Sequence, residues 1–206
     1  MVNVACENCG AESVVRNPAA LSVVCSYCDS VLLLVDTRWQ DSGEKSRLSQ
    51  GFSRLYIGAY GSINDTRIHV VGRARYSFGR GFWDEWYVLD EMGNGSWVTE
   101  DNHQFCWQKP LTTNIDLPSE TTPGTDIRVE NIAFRVLESG HAKCLGIEGE
   151  IPKNLLPQME FRYTDASSFD GIHALGIEQH QTSITVFMGT WLSQDDIKMD
   201  DESLDW

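Results

Sequence analysis

Four cysteines spaced C-x2-C-x15-C-x2-C, Cys6 and Cys9 followed by Cys25 and Cys28, are the residues of this chain best suited to one definite chemistry. The first pair reads Cys6-Glu7-Asn8-Cys9-Gly10 and the second Cys25-Ser26-Tyr27-Cys28-Asp29-Ser30, so each closes on residue types that favour a tight turn. Two such turns facing each other across a hairpin supply four thiolates in a tetrahedron, the ligand set of a structural Zn²⁺ site with no position left for a substrate. Two disulfides would need an oxidising compartment, yet Met1-Val2-Asn3-Val4-Ala5 shows neither the basic region nor the apolar run of an export signal. A redox C-x2-C explains one pair and not two. Cys106 and Cys144 lie outside any motif and read as buried small apolar residues.

Other candidates carry less. Asp84 and Glu85 are adjacent carboxylates in an aromatic setting, but neighbours on a strand point to opposite faces and cannot share a substrate. His69, His103, His141, His173 and His180 have no metal-ligand spacing, and the chain holds no glycine-rich phosphate loop, Gly-x-Ser-x-Gly elbow or His-Glu-x-x-His helix. Seven tryptophans fall mostly at strand-like positions, where core packing is the default. The expectation is a protein without catalytic residues.

The elements that must position the cysteines are short. Residues 1–36 are too few to bury a core alone and need the metal to order them, with Val31-Leu32-Leu33-Leu34-Val35 as a strand too short to span a membrane. Residues 37–52 turn polar around Asp41-Ser42-Gly43-Glu44-Lys45-Ser46 and read as a linker. Beyond it, β-branched and aromatic runs alternate with Gly, Asn and Asp without helical periodicity, which predicts a mainly antiparallel β domain over 53–194.

Its clearest hairpin joins Ile68–Tyr76 to Phe82–Leu89. With Gly79-Arg80 as a two-residue turn, Arg75 faces Asp84, Arg73 faces Trp86 and Tyr76 faces Trp83, predicting an ion pair and a cation-π contact. An internal echo, Gly95–Asn102 against Gly189–Asp196, suggests two similar sheets or half-barrels, about 55–108 and 126–193, joined by the Thr/Pro/Ser-rich stretch 112–124. Residues 195–206 mix six carboxylates with Ile197, Met199, Leu204 and Trp206 and read as a solvated acidic tail, with docking through the apolar residues as the alternative.

The net charge is -14, unevenly spread. Lys and Arg against Asp and Glu number 1 and 4 over residues 1–36, and 6 and 17 over residues 112–206. Phosphate binding draws on Lys and Arg displacing counterions, and the ribbon offers only Arg16, so nucleic acid is not the expected partner. The acidic second half instead suits basic proteins, polyamines or solubility alone.

The runs Val70–Tyr76, Phe82–Leu89, Gly95–Val98, Gly149–Pro152, Phe161–Asp165 and Gly189–Leu192 resemble the bacterial domain-of-unknown-function family 4178, many of whose members begin with a C-x2-C…C-x2-C ribbon. The resemblance implies an accessory role, since members are encoded beside polyamine aminopropyltransferase-like proteins, small membrane proteins and membrane-stress or phage-defence components. It supplies no catalytic residues. The leading expectation is a cytoplasmic zinc-ribbon adaptor that binds another protein of such an assembly and meets the inner membrane only through partners, without inserting. The alternative is a sensor or binder of a small cationic ligand such as a polyamine. Edge strands could equally dimerise or take up a peptide, so the sequence sets no oligomeric state.

Overall fold

A computed structural model describes residues 2–112 and 121–200. Two knuckle hairpins open the chain: β1 (Val2–Ala5) pairs with β2 (Glu12–Val15), and β3 (Ser22–Val24) with β4 (Ser30–Val35). Residues 38–45, expected within a linker, instead form β5 (Arg38–Lys45), paired with β4. An edge strand of this kind is held by backbone hydrogen bonds, with Trp39 alone reaching the ribbon core, so it lacks the apolar alternation that marks a strand in sequence.

The main body is two five-stranded meanders. The first runs β6 (Tyr60–Ile63), β7 (Thr66–Ser77), β8 (Phe82–Asp90), β9 (Gly95–Asp101) and β10 (Gln104–Pro110). The second runs β11 (Asp126–Val129), β12 (Ile132–Ile151), β13 (Glu160–Ser168), β14 (His173–Gln179) and β15 (Ile184–Leu192). β10 pairs with β15 and β7 with β12, closing a circuit of antiparallel strands β7-β8-β9-β10-β15-β14-β13-β12. The expected half-barrels therefore exist, joined into one barrel; residues 113–120 of the stretch between them lie outside the described residues.

The repeat lies elsewhere than the echo suggested. Gly95 starts the fourth strand of its meander and Gly189 lies in the fifth of the other, so these segments are not equivalent positions. The equivalent features are the opening hairpins. Asn64-Asp65 (φ 46° and 63°) turns β6 into β7, and Glu130-Asn131 (φ 47° and 68°) turns β11 into β12, both with the paired positive φ of a tight hairpin turn. Turn geometry is shared while residue types are not, which hides the repeat from a residue-by-residue reading.

Each meander covers its own outer face with apolar residues. Leu55, Ala59 and Ile63 pack on Ile68, Val70, Trp86 and Val88 in the first half, while Ile127 and Val129 pack on Phe134, Val136, Leu175 and Ile177 in the second. At the β7–β12 closure the two backbones come together at Gly72 and Gly149, where a Cβ would strike the Glu150 and Val71 carbonyls respectively. The tail docks at its start: β16 (Ile197–Met199) pairs with β6, Ile197 is buried, and Arg67 forks onto Asp200 at 2.7 and 2.8 Å. The reading of 195–206 as a solvated tail is corrected for residues 197–200, because β6 offers a free edge and an apolar socket; Leu204 and Trp206 lie outside the described residues.

The ribbon is continuous with the barrel. β3 pairs with the end of β12 (Glu150 with Val23, Ile151 with Ser22), and Val31, Val24 and Leu33 join Ile147, Ile151 and Leu155 in one core. After β5 the chain crosses the outer face of β7 and β8, with Ser46 bonded both ways to Ile147 at 2.6 Å and Arg75 donating to Ser49.

Candidate functional site

The knuckle turns form as the cysteine spacing requires. The Gly10 amide donates to the Cys6 carbonyl and Asp29 to Cys25, with Gly10 and Asp29 at φ 76° and 62°, so each turn reverses within one pair. The four Sγ atoms lie within 4.8 Å of one another, and the shortest approaches, Cys6–Cys28 and Cys9–Cys25 at 3.7 Å, cross between the knuckles. That separation is far beyond a disulfide bond of about 2.05 Å and suits four ligands on one ion. Asn8 Nδ2 reaches Cys28 Sγ at 3.6 Å and Ser30 Oγ at 2.9 Å, fixing the outer side of the set. Cys6, Cys9, Cys25 and Cys28 thus form a metal-binding cluster, and among the described residues no other group of cysteine, histidine or carboxylate ligands is arranged for a metal.

The predicted hairpin register is observed, with Arg75 opposite Asp84, Arg73 opposite Trp86 and Tyr76 opposite Trp83. On the outer face Asp84 accepts forked bonds from both Arg73 (3.0 and 3.1 Å) and Arg75 (2.8 Å twice), and Arg73 stacks over Trp86 at 4.7 Å. Asp84 and Glu85 point to opposite sides of the barrel wall. Glu85 faces the lumen.

The lumen is the feature that no motif announced. Its outer part, toward the β7–β8 and β9–β10 turns, is a cavity of about 230 Å³ with aromatic walls from Trp83, Phe161, Tyr163 and Trp191. Among the described residues it is lined by five carboxylates, Glu85, Asp101, Glu138, Asp165 and Glu178, and by no cationic side chain. Glu138 is partnered by the Tyr163 hydroxyl at 2.9 Å and by Arg80 at 3.3 Å. Asp165 makes no hydrogen bond or ion pair within the described residues. Asp165 lines this cavity and keeps an exposed surface there, and desolvation by the surrounding wall, followed by the charges of Glu138, Glu85, Asp101 and Glu178, pushes its carboxyl up to about 7.

At the inner end Lys153, from the turn after β12, reaches into the barrel. Its Nζ lies 2.8 and 2.9 Å from the two Glu178 oxygens and 3.6 Å from Glu85, 4.7 Å from the Trp97 ring centre and 4.9 Å from that of Phe187. Burial pushes Glu85 up to about 7 in spite of this ammonium. Burial also opposes ionisation of Glu178, but Lys153 and then His180 hold that carboxyl below its ordinary value. Lys153 itself is raised, the two carboxylates outweighing its desolvation. Beyond it lies a second cavity of about 590 Å³, and Glu178 and Phe187 line both.

The family model described as domain of unknown function (DUF4178) matches residues 56–194. This chain belongs to that family. No curated protein and no solved structure matches the chain. The DUF4178 match takes in both meanders from β6 to β15, hence the whole barrel and its lumen, while the four cysteines lie before it. In this DUF4178 protein Cys106 and Cys144 are buried as expected, and burial pushes both thiols up to about 12. The lumen acids had a signal in sequence. Phe161, Tyr163 and Asp165 alternate along one strand face, as do Ala174, Gly176 and Glu178, but only barrel closure brings the two faces together.

Proposed function

We propose that this protein binds a small organic cation in the lumen of its barrel, polyamines being the first class to test, and that the cysteine cluster carries a structural Zn²⁺. The observation that carries the first part is the cavity lined by five carboxylates, no cationic side chain and aromatic walls. Carboxylates supply charge, and ring faces attract an ammonium by roughly 0.5–2 kcal/mol each. The carboxylates are spread along the wall and not gathered as metal ligands, which favours an extended cation over a single ion. Cys106, which lines the cavity, is held protonated by its surroundings, which argues against a cysteine nucleophile there.

For the metal, tetrahedral Zn²⁺ with Zn–S of about 2.3 Å places sulfurs about 3.8 Å apart, close to the 3.7 Å seen across the knuckles. The adaptor reading draws on the ribbon surface, where Tyr27 is 75% exposed beside Val14 at 45%. Purification of partners from the native host with wild type and Tyr27→Ser tests it.

Calorimetric titration of spermidine, putrescine and choline into the purified protein tests the lumen. Saturable binding that is lost in Asp165→Asn is expected. No heat and no thermal shift at millimolar concentrations of all three would sink the proposal.

A further inference from the structure

We infer that Lys153 is an internal occupant of the inner of two ammonium subsites in the lumen, and that it thereby sets how far a cationic ligand can enter. The inference rests on the lumen reading above and names what limits its ligand.

The inner subsite is complete as it stands. Two carboxylates and two aromatic faces surround one ammonium, with Glu178 accepting at 2.8 and 2.9 Å, Glu85 at 3.6 Å, and the Trp97 and Phe187 rings below 5 Å. This is the chemistry of a site that recognises a primary ammonium on an apolar stem. Here the stem is the lysine's own. The outer subsite has the same ingredients without the ammonium: Asp165, with Asp101 and Glu138 toward the mouth, and the rings of Trp83, Phe161, Tyr163 and Trp191.

The two subsites lie in register. Tyr163 pairs with Glu178 and Asp165 with Gly176, so Asp165 and Glu178 are diagonal neighbours on one face of adjoining strands, about 7–8 Å apart at the backbone. Glu178 and Phe187 line both cavities, and Lys153, which lines the inner one, bonds to Glu178 at this boundary. A diamine of putrescine or cadaverine length matches the spacing. With Lys153 in place, an ammonium group that reaches from Asp165 towards Glu178 meets the lysine's like charge. The turn carrying Lys153 is held from the ribbon, where the Ser22 hydroxyl donates to the Lys153 carbonyl at 2.6 Å and accepts from the Leu155 amide at 3.0 Å.

Excision tests the assignment. Lys153→Ala removes the atoms of n-propylammonium, and adding that cation back should restore what was removed. Melting is compared in propylammonium, tetramethylammonium and potassium chlorides at equal ionic strength. The expected result is a rise of about 3 °C for the variant in propylammonium at roughly tenfold its dissociation constant, with no such rise in the other salts or in wild type. The variant should also favour putrescine over propylammonium by about tenfold more than wild type does, one added charge-assisted contact being worth that ratio. If Lys153→Ala does not fold alone, recovery on refolding in propylammonium replaces melting as the readout. The neutral pair Lys153→Met with Glu178→Gln should fold and show no rescue. Wild type that binds cations alongside a variant with neither rescue nor altered length preference overturns this inference and leaves the lumen reading standing. Rescue of the variant with a wild type that binds no cation supports the inner subsite and removes the open lumen as a ligand site.

Discussion

Replacing Asp165 by Asn should stabilise the protein at neutral and alkaline pH while abolishing cation binding. Asp165 faces the lumen from β13, against Glu138 on β12, Asp101 on β9, Glu85 on β8 and Glu178 on β14, and within the described residues no cation partners it. Its carboxyl is raised from 3.8 to about 7, first by burial and then by these charges. A carboxyl raised on folding contributes stability that is present at low pH and lost as pH climbs through its folded value. About two of the three pH units fall between pH 5 and 7, an upper bound of roughly 2.7 kcal/mol at about 1.36 kcal/mol per unit. The side chain borders space that water can enter, so screening reduces this to about 1 kcal/mol.

The asparagine variant has no charge to desolvate. Its advantage over wild type should therefore grow by about 1 kcal/mol from pH 5 to pH 8, or about 2–4 °C in melting temperature for a chain of this size. Because Glu85, Glu138 and Glu178 are present in both proteins, the difference between the two melting curves isolates Asp165. Scanning calorimetry at pH 5, 6, 7 and 8, with and without saturating spermidine, gives the comparison. Spermidine should raise the melting point of wild type most at pH 8, where the carboxylate is ionised, and should do little for the variant. A variant less stable than wild type at pH 8, or one whose advantage does not change with pH, would refute the view of Asp165 as an unpaired lumen charge. A stabilising substitution that removes binding is the mark of a residue kept for function at a cost in stability.

Three further outcomes follow from the same contacts. Asp84→Asn leaves Arg73 and Arg75, whose side chains are 4% and 6% exposed, without their shared carboxylate, and should cost about 3–5 kcal/mol by denaturant titration. Glu150→Gln weakens the acceptor for the Arg16 and Asn17 amides, bonded at 2.5–3.0 Å, and should cost about 1.5–3 kcal/mol, with exchange of the β3 amides rising before that of the barrel. Cys25→Ser should reduce bound metal from one equivalent to none by atomic absorption. Because Val31 and Val24 share the barrel's core, it should also lower the melting point of the whole protein and not only loosen residues 2–35.

The parts legible in sequence are those governed by local rules. The cysteine cluster follows from spacing, and the β7–β8 register from a turn with glycine at its first central position, which also fixed Arg75 on Asp84 and Arg73 on Trp86. What was not legible depends on closure. In sequence Glu85 stands beside Asp84, but its companions in the fold are Glu178 and Lys153, roughly seventy to ninety residues away and brought near only when β10 meets β15 and β7 meets β12. Lys153 stands in a turn after Ile151-Pro152, where a lysine ordinarily reads as solvated. β5 escaped notice because an edge strand paired on one side needs no apolar pattern.

The acidic composition of the second half acquires a different meaning once the barrel is closed. Spread over a surface, an excess of carboxylates aids solubility and little else. Three of these acids, Glu138, Asp165 and Glu178, instead face inward, where water is confined and like charges cannot escape one another. Such an arrangement opposes folding unless a cation relieves it. The chain supplies one cation of its own through Lys153, at the end nearest the ribbon, where Ser22 grips the lysine's turn and Glu150 is capped by ribbon amides. At the other end Arg80 reaches Glu138 from outside the cavity, and among the described residues no cation partners Asp165. The asymmetry between an inner end whose carboxylates meet Lys153, on a turn held by the cysteine ribbon, and an outer end where Asp165 has no such partner is the physical ground for proposing a ligand beside Asp165.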